Sequence, residues 1–209
     1  MVVQPGPGAG TPAVKLAEPT LKSVIERAYE IGMLQVGDEL YRFCEFMEKR
    51  PFRNFVEIGV WKGASFTVWD FLSQPGIHIG IDPNNQCGIV LEDGELRARD
   101  EVFRSFKHTA HMLIMDSQRV STMTAVAELL GKERVDFLFI DGAHEQPYVH
   151  RDYEWYRRLV RPGGVIALHD IVTFPGPRTM WRDLKAAGQE CHEFIAPLTP
   201  SGIGTLVVK

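Results

Sequence analysis

The stretch "VDFLFIDGAHEQPYVHRDYEWYRRLVRPGGVIALHD" runs from Val135 to Asp170. It opens on a continuous apolar run, Phe137 to Ile140, that ends abruptly in Asp141. "YVHRDYEWYRRLV" then has the spacing of an amphipathic helix, and "GGVIALHD" is a second apolar run ending in His169 and Asp170. Continuous apolar strands separated by a helix of ten or more residues belong in a parallel sheet covered on both faces. The unit therefore predicts an α/β fold. It also predicts that two strands end by presenting carboxylates on the same rim.

The same alternation extends in both directions. Upstream come the strand "NFVEIG", the helix "ASFTVWDFLS", the strand "IHIGID", the helix "ELRARDEVFRSF", the strand "HTAHMLIMD" and the helix "VSTMTAVAELLG". Downstream come the helix "TMWRDLKAAG" and the strands "CHEFIA" and "IGTLVVK". No helix separates the last two strands, so they are expected to pair antiparallel. Before the sheet, "TLKSVIERAYEIG" and "VGDELYRFCEFMEKR" each carry apolar residues on one helical face. The expected organisation is one domain over 18–209: a helical extension over 18–51 and an α/β core over 52–209. The core reads as a Rossmann-like, doubly wound, seven-stranded and mostly parallel sheet with an antiparallel last strand. Residues 1–17, rich in Pro and Gly, read as an extended arm or a flexible tail.

Composition narrows the function. Net charge is −4 over 209 residues, which gives no general electrostatic case for nucleic acid or an anionic membrane. Cys44, Cys87 and Cys191 are scattered without a C-x-x-C pair, which suits a reducing, cytoplasmic compartment better than a disulfide framework. The N-terminus lacks the pattern of a signal peptide, and no apolar run reaches the ~20 residues of a membrane span. The expected partner is a small molecule. A homo-oligomer stays open, with the N-terminal arm as one means of exchange between subunits.

Ligands of such sheets sit beyond the carboxyl ends of the strands. Those ends carry Glu57, Asp82, "DSQ" (Asp116 to Gln118), Asp141 with His144, and His169 with Asp170. Carboxylates so gathered repel unless a cation or hydrogen-bond donors lie among them. After the first strand, "EIGVWKG" places Gly59 and Gly63 in a turn leading to a helix. This is neither a phosphate-binding P-loop nor the G-x-G-x-x-G dinucleotide fingerprint, because the spacing fails and position 61 is Trp. With Asp82 at the next strand end, it suits a nucleoside without a pyrophosphate. "PNNQCGIVLEDGEL", after Asp82, is long enough for a lid or for a plain surface excursion. The loop "IVTFPGPR" could shape an acceptor pocket or simply connect. Trp155 and Trp181 sit at core spacing.

The E-x-G-x-x-x-G turn, "GIDP", "DSQ" and "DFLFIDGAH…RPGGVIALHD" together resemble class I S-adenosylmethionine-dependent methyltransferases. Within them, the 139–170 stretch is similar to metal-dependent O-methyltransferases of the macrocin O-methyltransferase and cephalosporin hydroxylase-like group, and more distantly to catechol O-methyltransferase. The resemblance implies S-adenosylmethionine as cofactor. Glu57, Gly59, Gly63 and Ser65 would line its methionine end, Asp82 its ribose, and Asp116, Ser117 and Gln118 its adenine. It further implies a divalent metal, Mg or Mn, at Asp141 and Asp170. Relatives carry a third polar ligand beside the second acid, whereas Ile171 follows Asp170 here. Either His169 then takes the third metal position, or it is a structural strand-end histidine beside a metal site that is looser or has been lost. Imidazole would favour manganese or another transition metal over magnesium. His144 stands where relatives place a catalytic Lys or His.

These readings converge on S-adenosylmethionine-dependent, divalent-metal-assisted methyl transfer to a hydroxyl of a sugar or natural-product type of small molecule, with the metal at Asp141 and Asp170 holding the acceptor oxygen and His144 taking the proton. Two alternatives remain open at this level: a metal-dependent hydroxylase or hydrolase on the same scaffold, and a non-catalytic cofactor-binding subunit.

Overall fold

The computed structural model describes residues 18–35, 37–84, 90–106, 108–197 and 201–209. The proposed arm over 1–17, and 85–89 of the proposed lid, lie outside the described residues. Two helices come first, α1 (Leu21–Ile31) and α2 (Gly37–Glu48). Thr20 and Ser23 form a capping box at the start of α1, and Gly32 ends it in the left-handed conformation. The core then alternates β1 (Phe55–Ile58), α3 (Ala64–Leu72), β2 (His78–Ile81), α4 (Asp93–Arg104), β3 (Ala110–Leu113), α5 (Val120–Leu130), β4 (Val135–Ile140), α6 (Gln146–Tyr156), β5 (Val160–Leu168), α7 (Pro175–Ala186), β6 (Cys191–Phe194) and β7 (Ile203–Val207).

The seven strands form one sheet in the order β3-β2-β1-β4-β5-β7-β6. β1 to β5 pair parallel. β7 inserts antiparallel between β5 and β6, as expected for a strand pair with no intervening helix. The order reverses at β1 and β4, so the carboxyl ends of these neighbours form the crevice in which such folds bind ligands.

Alternate residues of β4 feed the two faces. Phe137 and Phe139 join one buried cluster, and Leu138 and Ile140 join the other. On the first face, Phe43 of α2 packs against Trp69, Phe137, Phe139 and Phe194 at ring separations of 5.4, 5.9, 6.5 and 5.5 Å. The helical extension therefore shares the core of the sheet. On the second face, Tyr153, Tyr156 and Trp181 pack over β4 and β5. Trp181 is buried, in keeping with its spacing, and Gly204 must lack a side chain because a Cβ there would meet the indole at 2.6 Å.

Among the boundaries that differ from the sequence reading, two helix starts share a cause. α6 and α7 begin earlier than expected, each with proline in its first turn (Pro147; Pro175). Proline has no N–H, but the first helical positions have no use for one, so a residue that usually breaks helices starts these two. Half of the expected loop "IVTFPGPR" is thus the first turn of α7.

Candidate active site

The carboxyl ends of β1, β2, β4 and β5 surround a cavity of about 430 Å³. Gly59, Ser65, Asp82, Asp141, His144 and Asp170 are among its walls, and His169 joins them. Asp116, Ser117 and Gln118 line a neighbouring cleft of about 490 Å³ on the β3 side. Glu57 is fully buried beneath the first cavity.

The glycine turn is built by backbone packing. Gly59 has φ +87°, and a Cβ there would lie 2.0 Å from the Asp141 carbonyl oxygen. Glycine at this position lets the β1 turn press against the β4 turn, which brings Asp141 next to the cavity. Asp82 fixes the same turn from the other side. Its Oδ2 accepts from the backbone N–H groups of Val60 (3.0 Å) and Trp61 (2.7 Å), and its Oδ1 accepts from Asn84 N–H (2.7 Å). Trp61 in this turn has φ +47°, and Asp170, just beyond β5, has φ +60°. Left-handed backbone at non-glycine residues costs energy and clusters where side chains must be aimed.

Behind the glycine turn, the Ser65 hydroxyl donates to Glu57 Oε1. Glu57 Oε2 is buried and has no hydrogen-bond partner among the described residues. Trp69 Nε1–H leans towards this carboxyl and favours its charged form, but outside hydrogen-bond geometry. Burial pushes the Glu57 carboxyl well above the usual carboxylate range, with Ser65 opposing and Asp141 adding to the rise.

The acid–histidine cluster has a defined order. His144 Nε2 lies 3.0 Å from Asp170 Oδ2, and the His144 ring stacks on Phe174 at 4.0 Å. His169 Nδ1 lies 3.1 Å from Asp141 Oδ1, and its Nε2 faces Ser201 Oγ at 2.8 Å and Glu39 Oε1 at 3.4 Å. Gln35 Nε2–H donates to Asp141 Oδ2 at 2.6 Å. Ser201 also donates to Asp170 Oδ1. Burial disfavours a charge on His169, but the carboxylates of Asp141, Asp170 and Glu39 outweigh it and hold the imidazole protonated well above its ordinary range. The two histidines in turn keep Asp170 ionised to low pH against the effect of its burial.

One donor atom from each of Asp141, His144 and Asp170 falls within 4.8 Å of the others. His169 lies outside this group of three; both its nitrogens face acceptors, and a protonated imidazole has no lone pair to offer a cation. Gln35, Glu39 and Ser201 were not expected at the site. They arrive from the helical extension and the β6–β7 connection, and no local motif marks them.

A family model described as a methyltransferase domain matches residues 56–171, more than half of the 209-residue chain. The chain belongs to this methyltransferase-domain family. The matched span begins in β1 and ends just after Asp170, so it contains the glycine turn, Asp82 and the acid–histidine cluster but not Gln35, Glu39 or Ser201. The methyltransferase is similar to the O-methyltransferase TomG of Streptomyces achromogenes, involved in tomaymycin synthesis and solved with SAM, at 18% identity over 90% of this chain and 89% of that one (TM-score 0.59). It is similar to an O-methyltransferase of Bacillus cereus solved with SAH, at 18% identity over 93% of each chain (TM-score 0.57). An rRNA methylase of Streptococcus thermophilus also matches, at 8% identity over 85% of this chain and 100% of that one (TM-score 0.57). At these identities the likeness bears on the fold. No described helix of the methyltransferase is long and apolar enough to cross a membrane.

Proposed function

We propose that this methyltransferase moves a methyl group from S-adenosylmethionine to a hydroxyl oxygen of a small molecule, with His144 as general base. The observation that carries the reading is the His144–Asp170 pair at the cavity wall. Asp170 engages Nε2, which leaves Nδ1 of the same ring to receive a proton. Phe174 holds the ring plane by stacking.

The residues present fit the cofactor. The buried Glu57 carboxyl, whose Oε2 has no partner among the described residues and which burial favours as neutral, would regain its charge beside an ammonium group, as at the methionine end of the cofactor. Asp82 retains lone pairs for a ribose hydroxyl after its backbone bonds are counted. Bound there, the cofactor supplies an electrophilic methyl on a sulfonium. Met33, Leu34, Trp61 and Phe174 give the remaining wall of the cavity an apolar character, which supports a small organic acceptor rather than a polyanion. The chain's part in the reaction is to exclude water, to align the acceptor oxygen with the methyl, and to hold the departing proton on His144.

A second reading keeps the cavity and changes the base. Asp141, His144 and Asp170 bring three donor atoms close enough to hold a divalent cation. A cation there supplies Lewis acidity that lowers the pKa of an alcohol. Its nitrogen donor would favour manganese or another transition metal over magnesium.

Chelation followed by assay separates the two. Release of S-adenosylhomocysteine with a panel of phenolic, sugar and RNA acceptors tests the reaction. Full turnover after chelation supports the His144–Asp170 base, and loss restored by Mn²⁺ supports the cation. No melting shift with millimolar S-adenosylmethionine or S-adenosylhomocysteine would sink both.

A further inference from the structure

At the opposite end of the sheet from the cavity lies a second histidine–carboxylate cluster that the transfer reaction does not use. Asp70 sits in the last turn of α3, Ser73 caps that helix, His78 opens β2, and His108 precedes β3. Asp70 Oδ1 lies 3.0 Å from His78 Nδ1 and 3.2 Å from His108 Nδ1. His78 and Asp70 are buried, and the His108 side chain is 10% exposed, so the cluster has one opening to solvent.

The Ser73 hydroxyl defines the protonation pattern. Its single proton goes to the Asp70 backbone carbonyl, 2.9 Å away, because a carbonyl can only accept. Towards His78 Nε2, 3.2 Å away, Ser73 Oγ then acts as acceptor. The ring proton of a neutral His78 is therefore on Nε2, and the Nδ1 lone pair points at a carboxylate oxygen. Two lone pairs at 3.0 Å repel unless a cation lies beside them.

The geometry points to a zinc site made by Asp70 Oδ1, His78 Nδ1 and His108 Nδ1. Tetrahedral zinc with bonds of about 2.0–2.2 Å places its ligand atoms roughly 3.3–3.5 Å apart, close to the separations found here. One carboxylate and two imidazoles suit zinc or a similar transition ion better than magnesium or calcium. The chain Nε2–H to Ser73 Oγ to the Asp70 carbonyl supplies the outer hydrogen bonds that orient a ligating histidine. The fourth position faces the His108 opening and suits a water molecule. Such a site ties the end of α3 to β2 and to the entry of edge strand β3, whose far end leads to Asp116, Ser117 and Gln118. Its role is to hold that edge in place.

Metal-stripped protein should be titrated with Zn²⁺ against a chromophoric chelator, in a His144→Ala background that removes the cavity cluster as competitor. One equivalent is expected to bind tightly, and adding His108→Ala should weaken it by ~100-fold or more, since even outer hydrogen-bond partners of a zinc ligand are worth 10–100-fold. Zn²⁺ should raise the melting temperature of the His144→Ala protein but not of the His144→Ala/His108→Ala protein. Co²⁺ should give the intense visible bands of a four-coordinate ion in the first protein only. Zinc binding that is absent from His144→Ala, or indifferent to His108→Ala, overturns the proposal. In the first case a proton on His78 takes the place of the cation.

Discussion

His144 Nε2 stands 3.0 Å from Asp170 Oδ2, while the same ring lies flat on Phe174 at 4.0 Å. One residue is thus oriented by a carboxylate from β5 and by an aromatic from the turn before α7. General-base help is worth about 10²–10⁴-fold in rate. His144→Ala should lower turnover by about that factor with little change in S-adenosylhomocysteine affinity. His144→Gln should behave alike, since an amide keeps the shape but takes no proton near neutral pH. A loss under about tenfold in folded protein, with an accepted alcohol, would reduce His144 to a packing residue.

The same pair sets a pH limb. Hydrogen bonding and attraction from Asp170 raise the His144 pKa above its ordinary value of 6.5, with burial opposing. A raised pKa keeps the ring protonated to higher pH, so a base of this kind is lost earlier on acidification than a free histidine. The acid limb of kcat should therefore lie above pH 6.5. In Asp170→Asn it should move down as overall turnover falls. A limb that does not move in Asp170→Asn would detach Asp170 from the base.

The sheet and its order of elements were legible because each strand is an apolar run and each helix has its own period. Asp141, His144 and Asp170 were legible because they follow such runs directly. Gln35 and Glu39 were not, since they reach Asp141 and His169 across 106 and 130 residues of chain. Nothing local distinguishes Glu39 from the polar side of an amphipathic helix, or Gln35 from any polar residue of the α1–α2 connection. Asp82 was read as a ribose ligand, and its three backbone bonds, which order the glycine turn, come from folded geometry that spacing does not encode.

The buried His169 is the cation among Glu39, Asp141 and Asp170. Removing one partner of a buried ionic group costs about 3–5 kcal/mol, because the remaining charges lose compensation. His169→Ala should lower the melting temperature by roughly 10 °C or more for a chain of this size. Glu39→Gln added to it should recover part of the loss, since one of the acidic groups that His169 faced is then neutral. Thermal melts of the two single variants and the double variant check this. Strictly additive losses would deny the pairing.

Asp82 has two duties that one substitution separates from a purely ligand role. Asp82→Ala leaves three backbone N–H groups without their acceptor, each worth about 1–3 kcal/mol where buried. The unliganded protein should melt roughly 5–10 °C lower. Cofactor at ~100 times its dissociation constant stabilises a protein by about 2.7 kcal/mol, and most of that shift should also vanish. An unchanged unliganded melt with a lost cofactor shift would make Asp82 a ligand alone.

Asp152 gives the clearest dependence of stability on pH. It sits buried in α6, where Gln118 Nε2–H donates to its Oδ1 at 2.6 Å. Burial pushes its carboxyl from 3.8 up to about 7, with Ser117 opposing and Asp116 adding to the rise. In the unfolded chain the group ionises near 3.8. Between these values the folded protein binds more protons than the unfolded one, so stability falls as pH rises. The contribution is fully present below the unfolded value and is lost by about pH 7. At 1.36 kcal/mol per unit, the loss is on the order of 4 kcal/mol. Asp152→Asn keeps an oxygen to accept from Gln118 and cannot ionise. It should therefore melt higher than wild type at pH 8, with the gain shrinking towards pH 4. Paired melts across that range cancel the other titrating groups common to both proteins. A difference that stays constant with pH would show that Asp152 is ionised throughout, stabilised by its hydrogen bonds despite burial.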